Sequence, residues 1–133
     1  MLIIDKKQFE EIVQSAQTAP THEVCGILAG TADRVTKVYR MKNTSETPEH
    51  CYFMDPLEQL KVLKDIRRQQ LAMVGIYHSH PDSAAYPSAR DVELAFYDEV
   101  HYLIVSLRDK TKPAARAFKI TGGEISEQEI KGS

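Results

Sequence analysis

The chain contains 133 residues, of which 42% are hydrophobic and 27% are charged, and its formal net charge is -2. This size and balance predict one globular domain over residues 1–133, and the lack of a surplus of Lys and Arg argues against a nucleic-acid partner. No apolar run approaches the roughly 20 residues needed to cross a bilayer, and the N-terminus lacks a basic region before a long apolar segment. We therefore expect a soluble, non-exported, cytoplasmic protein without a membrane partner.

The chain begins with a short apolar strand and a helix. Residues 2–4 have the composition of a strand, and Asp5 can cap the helix that follows, because its side chain can accept a backbone hydrogen bond. Apolar residues then recur at helical spacing, and Pro20 is expected to end the helix.

A hairpin is predicted next. Residues 23–29 form an apolar run closed by Gly30, and residues 34–41 alternate in the way expected of a partner strand. The turn between them is predicted at residues 31–33.

The two cysteines are too few and too far apart for a CxxC zinc site or a disulfide framework. We expect both Cys25 and Cys51 to be reduced. Cys25 lies inside the apolar run, where a cysteine usually behaves as a small buried hydrophobe, so a nucleophilic role is the weaker interpretation.

The middle of the chain predicts a polar loop over residues 43–50, a short strand over residues 51–54 and a second helix. Asp55 stands at the expected cap of that helix and Pro56 in its first turn. Its basic residues are interpreted as a solvated face. The apolar stripe is predicted to contain Leu57, Leu60, Leu63, Ile66 and Leu71.

In the second half, residues 72–77 form an apolar run of strand length that leads into His78, and Pro81 is a natural strand terminator. Ser88 and Asp91 have the spacing of a capping box at the start of a helix that includes the amphipathic segment 92–97. Two further strands are predicted, at residues 102–107 and 114–120. Three helices and several strands indicate an α/β (α+β) domain.

A metal site is predicted at the end of the strand before Pro81. Residues two apart on a strand project from the same face about 6.5 to 7 Å apart, so the imidazoles of His78 and His80 can converge on one Zn²⁺. Asp91 supplies a third ligand if the loop 81–87 folds back. Two histidines and one carboxylate leave a fourth position for water, as in catalytic zinc sites.

A hydrolytic site also needs a general base and an oxyanion donor. Glu23, at the head of an apolar strand, is the preferred base, and Ser88 is the candidate oxyanion donor. Spacing alone leaves three other acids open as the base, namely Asp82, Glu93 and Asp98.

Each feature also has a simpler interpretation. The two histidines can form a pair without a metal, and Ser88 with Asp91 can be only a helix cap. Their coincidence in one fourteen-residue window favours the metal site. The remaining histidines are expected to be ordinary surface or packing residues, although the first of them borders Glu23: His22, His50 and His101.

The window from His78 to Asp91 contains His-Ser-His-Pro, then six residues, Ser88, two residues and Asp91. Together with the upstream Glu23, this window resembles the motif of the JAMM or MPN-plus metalloproteases. The resemblance covers nearly the whole chain. It implies a curved, mixed β-sheet flanked by helices, similar to cytidine deaminases. It also implies one zinc ion per chain, held by His78, His80 and Asp91, with Glu23 as general base and Ser88 as oxyanion donor.

The chain lacks the long insertions of the eukaryotic deubiquitinases and looks like the compact prokaryotic members of this family. The resemblance implies a zinc peptidase or isopeptidase that cleaves after the C-terminal Gly-Gly of a ubiquitin-like or sulfur-carrier protein, which would be its partner. A homodimer is one oligomeric state to test.

Two alternative functions agree less well with the sequence. A deaminase needs H-x-E followed by P-C-x-x-C, and a helical metalloprotease needs H-E-x-x-H, and the sequence contains none of these motifs. A catalytically inactive MPN-type scaffold that binds protein partners is expected to have lost a ligand or the glutamate, whereas this chain keeps all five positions.

Overall fold

An eight-stranded sheet forms the centre of the protein, and the computed structural model describes residues 1–132. The strands are β1 Leu2–Ile3, β2 Cys25–Thr31, β3 Arg34–Met41, β4 Ala72–His80, β5 His101–Ser106, β6 Ala114–Thr121, β7 Glu124–Gln128 and β8 Ile130–Lys131. The helices are α1 Lys6–Gln17, α2 Pro56–Arg68 and α3 Ala89–Glu93.

The strand order is β7-β6-β5-β4-β2-β3-β1-β8, and the sheet is mixed. β4 runs parallel to β5, and β1 runs parallel to both β3 and β8, while the other pairs are antiparallel. The two outermost strands, β7 and β8, follow each other in the chain with only Glu129 between them. The sheet must therefore curve until its edges nearly meet, which confirms the predicted mixed, curved sheet.

The predicted hairpin is confirmed as β2 and β3, with Ile27 opposite Tyr39. Its turn uses left-handed backbone at Ala32 (φ 49°) and Asp33 (φ 66°). Such angles suit a tight two-residue turn between twisted strands. Gly30, just before the turn, has no room for a β-carbon because the backbone of Arg34 lies against it.

The helices divide between the two faces of the sheet. α1 packs its buried Ile12 and Ala16 against one apolar cluster, and α2 packs Ile66 against the other. Along β4, Ile76 belongs to the α2 face and Tyr77 to the α1 face. Because side chains alternate along a strand, His78 points to the same face as Ile76, so the site lies on the side of α2 and α3.

The strand predicted at residues 51–54 is wrong. This segment forms a single bridge, between Met54 and Asn43, and is otherwise irregular. The Asn43 side chain replaces a strand ladder: its Oδ1 accepts from the amides of Ser45 and Phe53, and its Nδ2 donates to the Cys51 carbonyl.

Two helix predictions need correction. Leu57 and Leu60 are exposed (69% and 49%), and the core contacts come from Val62, Leu63 and Ile66. At about 100° per residue, the two leucines lie outside the sector that those three occupy. The helix after Ser88 is also shorter than predicted, because α3 ends at Glu93 and residues 95–97 are not helical.

Strands β7 and β8 were not predicted from the sequence. Their five and two residues are mostly exposed and polar, so they lack the alternation that marks a half-buried strand. No helix within residues 1–132 is long and apolar enough to cross a membrane.

Candidate metal centre and active site

Three side chains predicted as metal ligands converge in one buried cluster. The Nε2 atoms of His78 and His80 are 3.1 Å apart, and the Oδ2 atom of Asp91 lies 3.1 and 3.0 Å from them. All three residues are at least nine-tenths buried. Ligand atoms around a tetrahedral Zn²⁺, each about 2.0 to 2.1 Å from the ion, are roughly 3.3 Å from one another. The spacing of the three atoms therefore fits a zinc ion.

The two imidazoles reach this point because both stand on β4, two residues apart. His80 Nδ1 lies 2.8 Å from the Ala84 carbonyl oxygen. Since a carbonyl can only accept, Nδ1 carries a proton, so Nε2 is the nitrogen that can give up its proton and offer a lone pair to a metal. His78 stacks against the ring of Tyr52, with ring centroids 4.6 Å apart. Within residues 1–132, His78 Nδ1 has no hydrogen-bond partner.

Asp91 enters the cluster from the first turn of α3. Its Oδ2 accepts from the backbone N–H of Ser88 at 2.9 Å, and Ser88 Oγ accepts from the backbone N–H of Asp91 at 3.1 Å. The predicted capping box is confirmed. It fixes the Asp91 carboxylate toward the two histidines, so one carboxylate serves both the helix start and the ligand cluster.

The side chains of the ligand cluster shift one another's pKa values. Burial alone would raise the pKa of Asp91, but hydrogen bonds from His78 and His80 hold it well below its usual range. Burial opposes charge on His80 as well, yet the Asp91 carboxylate and the Ala84 carbonyl raise its pKa. The site thus holds a carboxylate beside two basic nitrogens, which is a donor set suited to a divalent cation.

Glu23 lies beside this cluster, two residues before β2 begins. Cys25 pairs with His78 across the β2 and β4 strands, so Glu23 stands at the level of His80. It is 5% exposed and lines the same cavity as His80 and Ser88. Within residues 1–132, its Oε1 atom has no hydrogen-bond partner. A buried, unpaired carboxylate oxygen is unfavourable unless a ligand or water uses it.

Backbone contacts fix the position of Glu23 on both sides. Its N–H donates to the Pro48 carbonyl at 2.7 Å, and its carbonyl accepts from Asn43 Nδ2 at 2.9 Å. The next residue, Val24, exchanges two hydrogen bonds with Ser79, whose side chain points away from the ligand cluster. The backbone of Glu23 is therefore fixed in position, while its carboxylate remains free to exchange protons.

Burial raises the pKa of Glu23 from 4.5 to about 8, with a smaller contribution from the Asp91 charge and an opposing one from His80. Between these two values, the folded metal-free protein holds a proton that the unfolded chain has lost. The stability of the metal-free protein should consequently fall as pH rises through this window.

The Glu23→Gln variant isolates this effect. In urea unfolding with a chelator at pH 5 and pH 8, we expect the variant to gain stability relative to wild type at the higher pH. The relative gain should be at least about 1.4 kcal/mol, which corresponds to one pKa unit. Equal pH dependence in the two proteins would contradict the raised pKa.

Several residues near the site were not predicted from the sequence. Asn43, Tyr52 and Glu49 come from the irregular segment between β3 and α2, where no periodic pattern predicts which face a side chain takes. His50 was expected to be an ordinary surface or packing residue, and it lines the cavity with Glu23. The only feature of the sequence that points to these residues is a polar loop followed closely by an aromatic residue, Tyr52.

The remaining predictions concern a cysteine and two histidines outside the ligand cluster. Cys25 is buried as expected, and burial raises the pKa of its thiol to about 12, which disfavours a nucleophilic role. His101 is a packing residue: it is fully buried, and its Nε2 lies 3.1 Å from Asp33 Oδ1. His22 Nε2 lies 3.7 Å from Oε1 of Glu49, which lines the cavity.

The chain matches a family of known proteins. Residues 5–121 fit the family model described as prokaryotic homologs of the JAB domain. The CysO-cysteine peptidase of Mycobacterium tuberculosis is 35% identical over 132 residues, which cover 98% of this chain and 90% of that protein. The desampylase of Haloferax volcanii is 37% identical over 121 residues, covering 88% of this chain and 83% of that protein.

A solved structure agrees with these relatives. The solution structure of a Desulfitobacterium hafniense protein has 41% identity and a TM-score of 0.88, covering 100% of this chain and 93% of that one. The chain belongs to the prokaryotic JAB-domain family, the compact branch of the JAMM/MPN proteins. It is a hydrolase of that family.

Proposed function

We propose that this protein is a zinc-dependent peptidase or isopeptidase that hydrolyses the bond after the C-terminal Gly-Gly of a ubiquitin-like or sulfur-carrier protein. The observation that supports the proposal is the convergence of three buried donor atoms beside Glu23, whose buried Oε1 atom has no hydrogen-bond partner within residues 1–132. The substrate class is proposed from relatives called CysO-cysteine peptidase and desampylase.

In this proposal His78, His80 and Asp91 hold one zinc ion per chain. When bound, zinc supplies Lewis acidity that makes water nucleophilic near neutral pH. The proton of His80 Nδ1 is directed to the Ala84 carbonyl, which presents Nε2 to the ion, and the capping box orients Asp91.

Glu23 is proposed to move the proton. Its carboxylate takes a proton from the attacking water and passes it to the nitrogen of the departing amine. Because its backbone is fixed by Pro48 and Asn43, this transfer needs only side-chain motion. A carboxylate whose pKa is raised by burial is a stronger base than an exposed one, which suits this role.

Ser88 is proposed to stabilise the oxyanion that forms as water attacks the carbonyl carbon. In the capping box its oxygen acts as the acceptor for the Asp91 N–H, which leaves the hydroxyl proton available to donate. Loss of one oxyanion donor typically lowers kcat by about 10²- to 10³-fold.

The test is hydrolysis of a ubiquitin-like protein, encoded in the same organism, that carries a peptide after its Gly-Gly terminus. We expect the zinc-loaded protein to release a product whose mass ends at the second glycine. A matched substrate with Ala-Ala in place of Gly-Gly is the specificity control. A protein that binds zinc but cleaves no Gly-Gly conjugate, with every such protein of the organism tested, would favour the inactive scaffold instead.

We also propose that the protein acts in the cytoplasm, where sulfur-carrier substrates would be met. The homodimer stays a prediction, to be tested by light scattering of the purified protein.

A further inference from the structure

The side-chain amide of Asn43, which follows β3, uses all of its hydrogen-bonding capacity. Its Oδ1 accepts from the backbone N–H groups of Ser45 and Phe53, each at 3.0 Å. Its Nδ2 donates to the carbonyl oxygens of Glu23 at 2.9 Å and of Cys51 at 3.1 Å. An asparagine amide offers two acceptor sites and two donors, so none is left over. A flipped amide would place its oxygen against two carbonyls, so these partners allow only one orientation.

One of these hydrogen bonds fixes the backbone of Glu23. The Glu23 carbonyl and the Val24 N–H belong to one peptide group. Asn43 Nδ2 donates to the carbonyl of this group, and Ser79 Oγ accepts from its N–H at 2.9 Å. On the other side of the residue, the Glu23 N–H donates to the Pro48 carbonyl. Loss of the Asn43 hydrogen bond would free the carbonyl end of the first group, and a small rotation there would move the carboxylate.

The same amide also fixes the backbone of Tyr52. The Cys51 carbonyl and the Phe53 N–H belong to the two peptide groups on either side of the Tyr52 α-carbon, and Asn43 binds both. The Tyr52 ring stacks on the His78 imidazole, with ring centroids 4.6 Å apart and an angle of 28° between the planes. Asn43 therefore fixes the backbone from which this ring reaches a metal ligand.

The two histidines of the ligand cluster are oriented in different ways. His80 is oriented by the hydrogen bond between its Nδ1 and the Ala84 carbonyl. His78 Nδ1 has no such partner within residues 1–132, although the residue is only 1% exposed. Metal-ligating histidines are usually oriented by a hydrogen bond from the second ring nitrogen. For His78 the stacked Tyr52 ring takes that place, so zinc binding should depend on the position of Tyr52.

We infer that Asn43 is a positioning residue for the proposed reaction. It holds the general base, Glu23, through the Glu23 carbonyl, and it orients one metal ligand, His78, through Tyr52. Asn43 does not line the cavity that Glu23 lines, so it acts through these residues and not on the substrate. This inference rests on the proposed function and adds a residue to that same site.

Two substitutions remove this role to different extents. Asn43→Ala removes all four hydrogen bonds, whereas Asn43→Asp keeps the two accepted ones and places a carboxylate oxygen against the two carbonyls. The added negative charge would by itself favour a nearby cation, so weaker zinc binding by Asn43→Asp would not come from its charge. Thr44→Val is the matched control. It removes the hydrogen bond from Thr44 Oγ1 to the Phe53 carbonyl, which lies in no peptide group beside Tyr52 or Glu23.

The zinc affinity of the metal-free proteins, measured by competition with a chromogenic chelator, tests the link to His78. We expect Asn43→Asp and Tyr52→Leu each to weaken zinc binding by about 10-fold, as is usual for residues that orient a metal ligand. The double variant should bind zinc no more weakly than Tyr52→Leu alone, because Asn43 acts on His78 through the Tyr52 ring. Thr44→Val should bind zinc as the wild type does.

Steady-state kinetics at saturating zinc test the link to Glu23. Both Asn43 variants should lower kcat for a Gly-Gly conjugate by about 10- to 10²-fold, the cost of displacing a reacting group by up to about 1 Å, and keep KM within about 3-fold. In the Glu23→Gln background, the same substitutions should lower kcat by less than about 3-fold, because the group that they position is already absent. A general structural defect would lower kcat equally in both backgrounds.

The inference assigns both links to Asn43, so wild-type behaviour of the folded variants in either measurement overturns it. Equal losses of kcat in the two Glu23 backgrounds overturn it as well. If neither Asn43 variant folds, as judged by near-ultraviolet circular dichroism, Asn43 is a structural residue and the inference is wrong. If the wild type cleaves no Gly-Gly conjugate, the proposed function fails and the link to Glu23 with it, while the zinc measurements still decide the link to His78.

Discussion

Replacing Glu23 with Gln is expected to lower kcat for a Gly-Gly conjugate by about 10²- to 10⁴-fold, the usual contribution of a positioned general base. Zinc should remain bound at wild-type stoichiometry, because Glu23 makes no contact with the ligand atoms among the hydrogen bonds of residues 1–132. Steady-state kinetics and metal analysis of the same preparation measure both quantities.

The local structure makes this substitution a clean test. Both backbone hydrogen bonds of Glu23, to Pro48 and from Asn43, are independent of its side chain, so Gln should occupy the same place. The loss would then report proton transfer rather than a displaced strand. Glu124→Gln, an equal charge change on the exposed strand β7, is the control. Turnover of Glu23→Gln within about 3-fold of wild type would remove Glu23 from the mechanism.

The ligand cluster could be predicted from the sequence because its geometry is mostly local. Alternation on a strand places His78 and His80 on one face, and the capping box places Asp91 at the start of a helix. Only the fold of the loop between them had to be assumed. Glu23 is different: its approach depends on the β2–β4 pairing across more than fifty residues, so spacing left three rival acids.

The side chains that reach the site from the segment between β3 and α2 could not be predicted from the sequence, for a physical reason. Glu49 and Tyr52 stand in a segment without a strand ladder, held instead by the side chain of Asn43. One amide there accepts and donates four hydrogen bonds, and nothing in a single sequence distinguishes such an asparagine from an ordinary loop residue.

The fold, too, could be predicted from the sequence only in part. The buried strands and α1 carry clear sequence patterns. Strands β7 and β8 carry no such pattern, and only their pairing at the two edges of the sheet identifies them. In α2, hydrophobicity alone predicted Leu57 and Leu60 to be buried, yet both remain exposed. An apolar residue on a helix is not evidence of its own burial, because much of a protein surface is apolar.

Loss of the Asp91 carboxylate is expected to abolish zinc binding and, with it, activity. Asp91→Asn is the sharper variant, because its amide oxygen can still accept the Ser88 N–H while the negative ligand is lost. Zinc at 1,000 times its Kd stabilises a protein by about 4 kcal/mol, which raises the midpoint of thermal unfolding. We expect this zinc-dependent rise in wild type and none in the variant, by calorimetry with and without zinc.

Asp91 also caps α3, so a cap variant elsewhere is needed to separate the two roles. Asp5 caps α1 by accepting from the Gln8 N–H at 2.7 Å, far from the ligand cluster in the chain. Asp5→Ala should lower stability by about 1 kcal/mol and keep the full zinc-dependent rise. If Asp91→Asn kept that rise as well, the carboxylate would be a helix cap alone, and the three-ligand site would have to be abandoned.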